Sequence, residues 1–343
     1  MKFFNIDLHV SVIRDLKIIF ENLGHTIDTL SLSGHNWVFA NETIERPEII
    51  NETNWFHLEE QLLDKFYLYY KDKLDKYDGF IVTHTPILAK FYEKFNKPII
   101  VVASTRYEHP FTDDYLSWKS VNDFFFTNKN LILTSNNLFD KKYCELFIDR
   151  EFKLIESICS YTNAQYKPLK DKGVVYSKFN LPTLHNYIHK NKLNRVSWEH
   201  LYSYKCIAHF PYNVSTMSIF EQYYANVPLL FPSKRYTKEL MQNNSPLYSE
   251  LSYRKMKGLP PKSLFNLEND PNNYNVENIL KWIEYSDFYR FKNILYFDSI
   301  QDLENKFYQI NFDLVSFSMK QENIERYETV QKNWDEILRK IGV

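Results

Sequence analysis

Short apolar runs alternate with segments whose apolar side chains recur every three or four positions along most of this 343-residue chain. Phe3–Leu8, Thr26–Leu32, Phe80–Thr83, Pro98–Ala103, Leu131–Thr134 and Leu154–Ile158 read as strands. Between them Val12, Ile13, Leu16, Ile19, Phe20 and Leu23 fall at helical spacing, with Gly24 as a C-terminal cap. Phe56–Lys73 and Ile87–Phe95 also read as helices, and another runs through Phe147. Strands separated by helices imply a mostly parallel sheet covered on both faces. The pattern lapses over Ser160–Lys172 and then restarts. Strands are expected at Val174–Ser177, Cys206–Phe210 and Pro228–Phe231, with helices at Leu184–Lys190, Ser215–Tyr224 and Met319–Ile341. The expected architecture is α/β. Two Rossmann-like domains, residues 1–160 and 161–318, face each other across a cleft, and a C-terminal helix over 319–343 packs back on the first. In such sheets ligands gather at the C-terminal ends of the strands.

Six glycines limit how such a chain can hold a nucleotide. No G-x-G-x-x-G and no P-loop is present, so a phosphate needs another cradle. The net charge of -1 gives no global field toward nucleic acid. Cys144, Cys159 and Cys206 are too few and too scattered for a disulfide framework, and no His/Cys cluster has metal-ligand spacing. No apolar stretch approaches the roughly 20 residues of a membrane span and no leader is legible, so a cytoplasmic protein without metal or cofactor is expected.

The run from His209 to Pro232, H-F-P-Y-N-V-S-T-M-S-I-F-E-Q-Y-Y-A-N-V-P-L-L-F-P, offers a substitute cradle. It reads as strand, polar turn, amphipathic helix and buried strand. Asn213, Ser215, Thr216 and Ser218 sit where the helix begins, and there the backbone N–H groups and the helix dipole favour a diphosphate. Glu221, seven residues before Pro228, is placed to hold the hydroxyls of a ribose or a sugar. Lys178 ends a strand at the corresponding edge and is suited to neutralising diphosphate charge, while Tyr212 is suited to stacking on a base. The same residues also read as an ordinary N-cap with a surface glutamate and lysine.

The helix start, Glu221, the small residue Ala225, and Pro228 leading into a buried strand resemble the donor-binding element of GT-B glycosyltransferases. The resemblance implies a C-terminal Rossmann-like domain that holds a nucleotide-sugar. Many members carry two glutamates spaced E-x7-E. Here Glu221 matches the second, Asn213 stands at the first, and Val214, Ser215 and Thr216 replace the usual glycines. The Ser-Thr-x-Ser start is closer to members that bind the diphosphate through hydroxyls. A GT-A enzyme would show an Asp-x-Asp pair for a metal, and none occurs. GT-B enzymes meet the leaving diphosphate with a helix dipole and side chains instead.

Four strands of the first domain end in polar loops at one sheet edge. Asp7-Leu8-His9 follows the first strand, where inverting GT-B enzymes often place a general base, which points to His9, or to Asp7 in its stead. Gly34-His35-Asn36-Trp37 puts a histidine beside a tryptophan suited to a sugar face. Thr83-His84-Thr85 follows the third strand. Ser104–His109 follows the fourth, with Arg106 suited to phosphate or an acidic acceptor and Glu108 or His109 suited to base chemistry. Singly these read as caps or solvated turns. Together His35, His84, Arg106, Glu108 and His109 suggest an acceptor site.

The sequence therefore predicts a metal-independent, hexosyltransferase-type enzyme. It would move a sugar from a nucleotide-diphosphate sugar to a hydroxyl of a glycan or other acceptor, with no nucleic-acid partner. The same residues also fit a nucleotide-sugar epimerase or hydrolase, or a non-catalytic two-domain binding or scaffold protein. A nucleic-acid modifier is weakened by the neutral charge.

Overall fold

The computed structural model describes residues 1–39, 43–84, 86–108, 111, 114–194, 196–243, 247–263 and 267–342. The chain divides into two units, Met1–Tyr161 with Glu328–Val343, and Thr162–Tyr327. The division falls inside the C-terminal helix, Phe312–Ile341, which begins seven residues ahead of the predicted start at Met319.

In the first unit β1 (Lys2–Asp7), β2 (Thr26–Ser31), β3 (Gly79–Val82), β4 (Ile99–Ala103), β5 (Leu131–Ser135) and β6 (Lys153–Leu154) form one sheet among the described residues. Its order is β2-β1-β3-β4-β5-β6 and every pairing is parallel. β3 and β4 are buried along their whole length, which is why they read as unbroken apolar runs. Helix α1 (Val10–Asn22) turns Ile13, Leu16, Ile19 and Phe20 into the core and stops before Gly24, whose φ is +80°. α2 (Glu60–Leu74) buries Leu63, Phe66, Tyr70 and Leu74. The predicted helix after β3 is a 3-10 helix, Pro86–Phe95, whose Tyr92 ring stacks on Phe80 at 4.4 Å. α3 (Tyr115–Thr127) was not legible, because Phe124, Phe125 and Phe126 in succession blur the helical period. α4 (Leu138–Phe147) precedes β6. Trp334 of the C-terminal helix is buried with its ring 5.4 Å from Phe20.

The second unit holds β7 (Gly173–Tyr176), β8 (Tyr187–His189), β9 (Ile207–His209), β10 (Leu229–Pro232) and β11 (Leu295–Phe297). They form a second all-parallel sheet of order β11-β10-β9-β7-β8. The helix expected at Leu184–Lys190 is instead the edge strand β8, followed by a 3-10 turn over Lys190–Lys192. Gly173 pairs with Tyr187 and Val174 with Ile188. The Tyr187 ring fills the space over Gly173, where a Cβ would lie 2.6 Å from it. The missing side chain at Gly173 is what lets the aromatic strand dock. α5 (Trp198–Leu201) precedes β9, and α6 (Met217–Tyr224) links β9 to β10. Each unit is thus a parallel sheet with helices, the Rossmann-like pair that the alternation predicted.

Candidate functional site

The donor segment folds into the C-terminal end of the second sheet. β9 ends at His209, the chain turns through Pro211–Ser215, and α6 begins after Thr216. Thr216 takes the N-cap position in an extended conformation, yet its hydroxyl does not cap the helix. That hydroxyl lies 3.1 Å from the Ser218 hydroxyl, so two oxygens gather at the positive end of α6.

A cavity of 440 Å³ opens here, between the ends of β7, β8 and β9 and the start of α6. Lys178, Tyr212, Asn213, Thr216 and Ser218 line it, five of the seven residues predicted to bind the donor. Lys178 lies 3.6 Å over the Tyr212 ring and pairs with Glu250. The Asn213 side chain accepts from the Val214 N–H at 2.8 Å, which shapes the turn. The size and mixed lining suit a nucleoside diphosphate.

The other two predicted donor residues point elsewhere. The Ser215 hydroxyl donates to the buried Asp287 carboxylate at 2.5 Å, latching the start of α6 to the second unit's core. The helix therefore starts at Met217, two residues later than predicted. Glu221 is 6% exposed, does not line the cavity, and accepts from the Trp198 indole N–H at 3.4 Å. Its burial removes it from the hydroxyls it was expected to hold.

Sequence reading missed other lining residues. Tyr176 and His209 stack at 4.8 Å, and His209 stacks on Phe231 at 4.9 Å. The His209 Nε2 lies 2.7 Å from the Gln222 amide oxygen, and burial pushes the imidazole down to about 4, so it is neutral at physiological pH. His189, Lys190, Asn191 and Asn194 also line the cavity. Reading Leu184–Lys190 as a helix hid the first two, because it placed no strand end there.

In the first unit the structure brings His9, His35 and His84 together at the C-terminal edge of the sheet. Asp7 at the end of β1 is 1% exposed. It accepts from the backbone N–H groups of Leu8 at 2.8 Å, Thr83 at 2.7 Å and His84 at 3.2 Å, and from the Thr83 hydroxyl at 2.5 Å. The carboxylate therefore ties the end of β1 to the end of β3. Burial raises its pKa, against the pull of those hydrogen bonds. His9 is exposed, and its ring centroid lies 3.9 Å from that of His84. One side of the ring meets solvent and the other packs against His84, and this partial desolvation lowers the His9 pKa, with Asp7 opposing the shift and the charge of His35 adding to it.

Arg106 and Glu108, expected at this edge, are buried at 5% and 0% exposure. Tyr143 donates to one Glu108 oxygen, and the other has no hydrogen-bond partner among the described residues. Burial pushes the Glu108 carboxyl up to about 8, with Arg106 opposing the shift. Both side chains belong to the core under the loop, out of reach of an acceptor at the surface. His109 lies outside the described residues. Among the described residues no group of three or more His, Cys, Asp or Glu side chains could hold a metal, and no helix is long and apolar enough to cross a membrane.

No protein-family model matches the chain, and neither does any curated protein. Solved structures do resemble it. The glycotransferase of kitacinnamycin superposes with a TM-score of 0.50 at 10% identity, covering 99% of this chain and 98% of that one. The glycosyltransferase VinC in complex with dTDP gives 0.45 at 8% identity over 100% of both chains. The UDP-GlcNAc 2-epimerase from Methanocaldococcus jannaschii gives 0.43 at 12%, covering 89% of this chain and 98% of that one. The first likeness spans the whole chain and, with the two parallel sheets, gives this chain the fold of a GT-B glycosyltransferase.

Proposed function

We propose that the chain transfers a sugar from a nucleotide-diphosphate sugar to an acceptor hydroxyl without a metal ion. The observation that carries this reading is the 440 Å³ cavity at the start of α6. Thr216, Ser218 and the helix dipole meet the diphosphate, Lys190 supplies positive charge together with Lys178 once it exchanges Glu250 for the diphosphate, and the face of the Tyr212 ring turned away from Lys178 is offered to the base. As the bond from the anomeric carbon to the diphosphate breaks, the electron pair leaves on the diphosphate. The same groups then stabilise the new charge in place of a metal.

His9 is the general base of this reading. It is exposed, and its lowered pKa keeps it neutral and able to take a proton at neutral pH. Asp7 is a positioning residue, because its carboxylate is sealed by backbone donors just beyond the ends of β1 and β3. His35 and His84 share the edge and serve the acceptor.

The test is incubation of the full chain with UDP-, GDP-, ADP- and dTDP-sugars in EDTA, with glycan acceptors. Glycosylated acceptor and released nucleoside diphosphate support the proposal. Release without transfer identifies a nucleotide-sugar hydrolase, and a rearranged sugar identifies an epimerase. Binding with no turnover identifies a binding protein.

A further inference from the structure

Trp37 is 58% exposed, although its neighbours Val38 and Phe39 are buried. β2 pairs with β1 so that Ser31 lies opposite Asp7, and the loops after the two strands leave side by side. The loop after β2 makes two turns. The first is closed by the Gly34 N–H donating to the Ser31 carbonyl at 3.2 Å, the second by the Phe39 N–H donating to the Asn36 carbonyl at 2.8 Å. Gly34 has φ +68°, and the Arg46 guanidinium fills the space where its Cβ would be. Arg46 also donates to the Ser33 carbonyl at 2.9 Å, and the His35 N–H donates to the Ser33 hydroxyl at 3.2 Å. Val38 and Phe39 are buried, at 3% and 1% exposure. The second turn thus anchors itself through the residues after Trp37 and leaves Trp37 exposed, two positions from His35, whose charge acts on His9 of the His9–His84 pair.

We propose that Trp37 is the stacking platform for a saccharide acceptor, with His9, His35 and His84 reading its hydroxyls. This deepens the transferase reading and rests on it for the identity of the acceptor. A pyranose presents an apolar C–H face and a rim of hydroxyls. The exposed indole matches the face, and three imidazoles, each with a donor and an acceptor nitrogen when neutral, match the rim. A flat phenolic acceptor would use the same indole but would leave the three imidazoles one hydroxyl to share.

Intrinsic fluorescence of the full chain titrated with methyl glycosides of glucose, galactose, mannose and N-acetylglucosamine tests this directly. At least one should change the emission saturably in the wild type and fail to do so in Trp37→Ala, while Trp37→Phe keeps part of the affinity. In transfer assays Trp37→Ala should raise the acceptor KM about fivefold to tenfold, the size of one lost aromatic contact, with kcat and nucleotide binding little changed. An unchanged KM in Trp37→Ala overturns the proposal. So does a wild type that responds to phenols and to none of the glycosides. The titration needs no donor, so it decides the role of Trp37 even if nucleotide-sugar binding fails.

Discussion

Asp7 and His9 are two residues apart and meet opposite environments. Asp7 is sealed by donors from Asn5, Leu8, Thr83 and His84, while His9 stays exposed over the end of the sheet. The sequence named the pair without dividing the labour, because nothing local shows that Thr83 and His84 will deliver their N–H groups to Asp7. His9→Ala should lower kcat by about 10²-fold or more, in the range for a lost general base, with nucleotide affinity unchanged. A base must be neutral to act, so the acid limb of kcat/KM should lie below pH 6.5, the ordinary histidine value, and should vanish in His9→Ala. Glu108 gives a second prediction with a fixed sign. Its carboxyl is raised from 4.5 to about 8, so between those values the folded chain keeps a proton that the unfolded chain has released. That contribution is full below pH 4.5 and is lost as pH rises through 8. Glu108→Gln should therefore gain on the wild type across this window, by on the order of 1–4 kcal/mol at pH 9, in thermal or urea unfolding.

Among the elements, those with a clear period were legible and those set by tertiary contacts were not. The buried strands β3 and β4 announce themselves as apolar runs, and α1 by its spacing and terminal glycine. β8 was misread because Leu184–Lys190 has no strong period, and its strand form depends on Gly173 fitting under Tyr187. Gly173→Ala should cost about 1–3 kcal/mol, the usual price of overpacking, seen as a lower urea midpoint. In the donor element the helix start was legible from Asn213–Ser218, but the split among its hydroxyls was not. Ser215 is drawn to Asp287, a partner 72 positions away, and Thr216 and Ser218 are left to the cavity. Ser215→Ala should lower stability by about 1 kcal/mol through the lost hydrogen bond.

For the whole molecule, two parallel sheets in series were the most legible feature, because crossover helices leave a period that spans the chain. The chemistry is less legible, since a fold hosts many reactions and the site alone distinguishes them. The central claim is that a nucleoside diphosphate sits at the start of α6. It is tested most directly by thermal unfolding of the full chain in EDTA with UDP, GDP, ADP and dTDP and their sugars, in the wild type and in a Thr216→Val/Ser218→Ala variant. At a ligand concentration near 100 times Kd, one nucleotide family should raise the wild-type Tm by roughly 3–8 °C. The variant should keep its own Tm within a few degrees and lose most of that shift. No shift with any nucleotide, or an equal shift in the variant, would contradict the account.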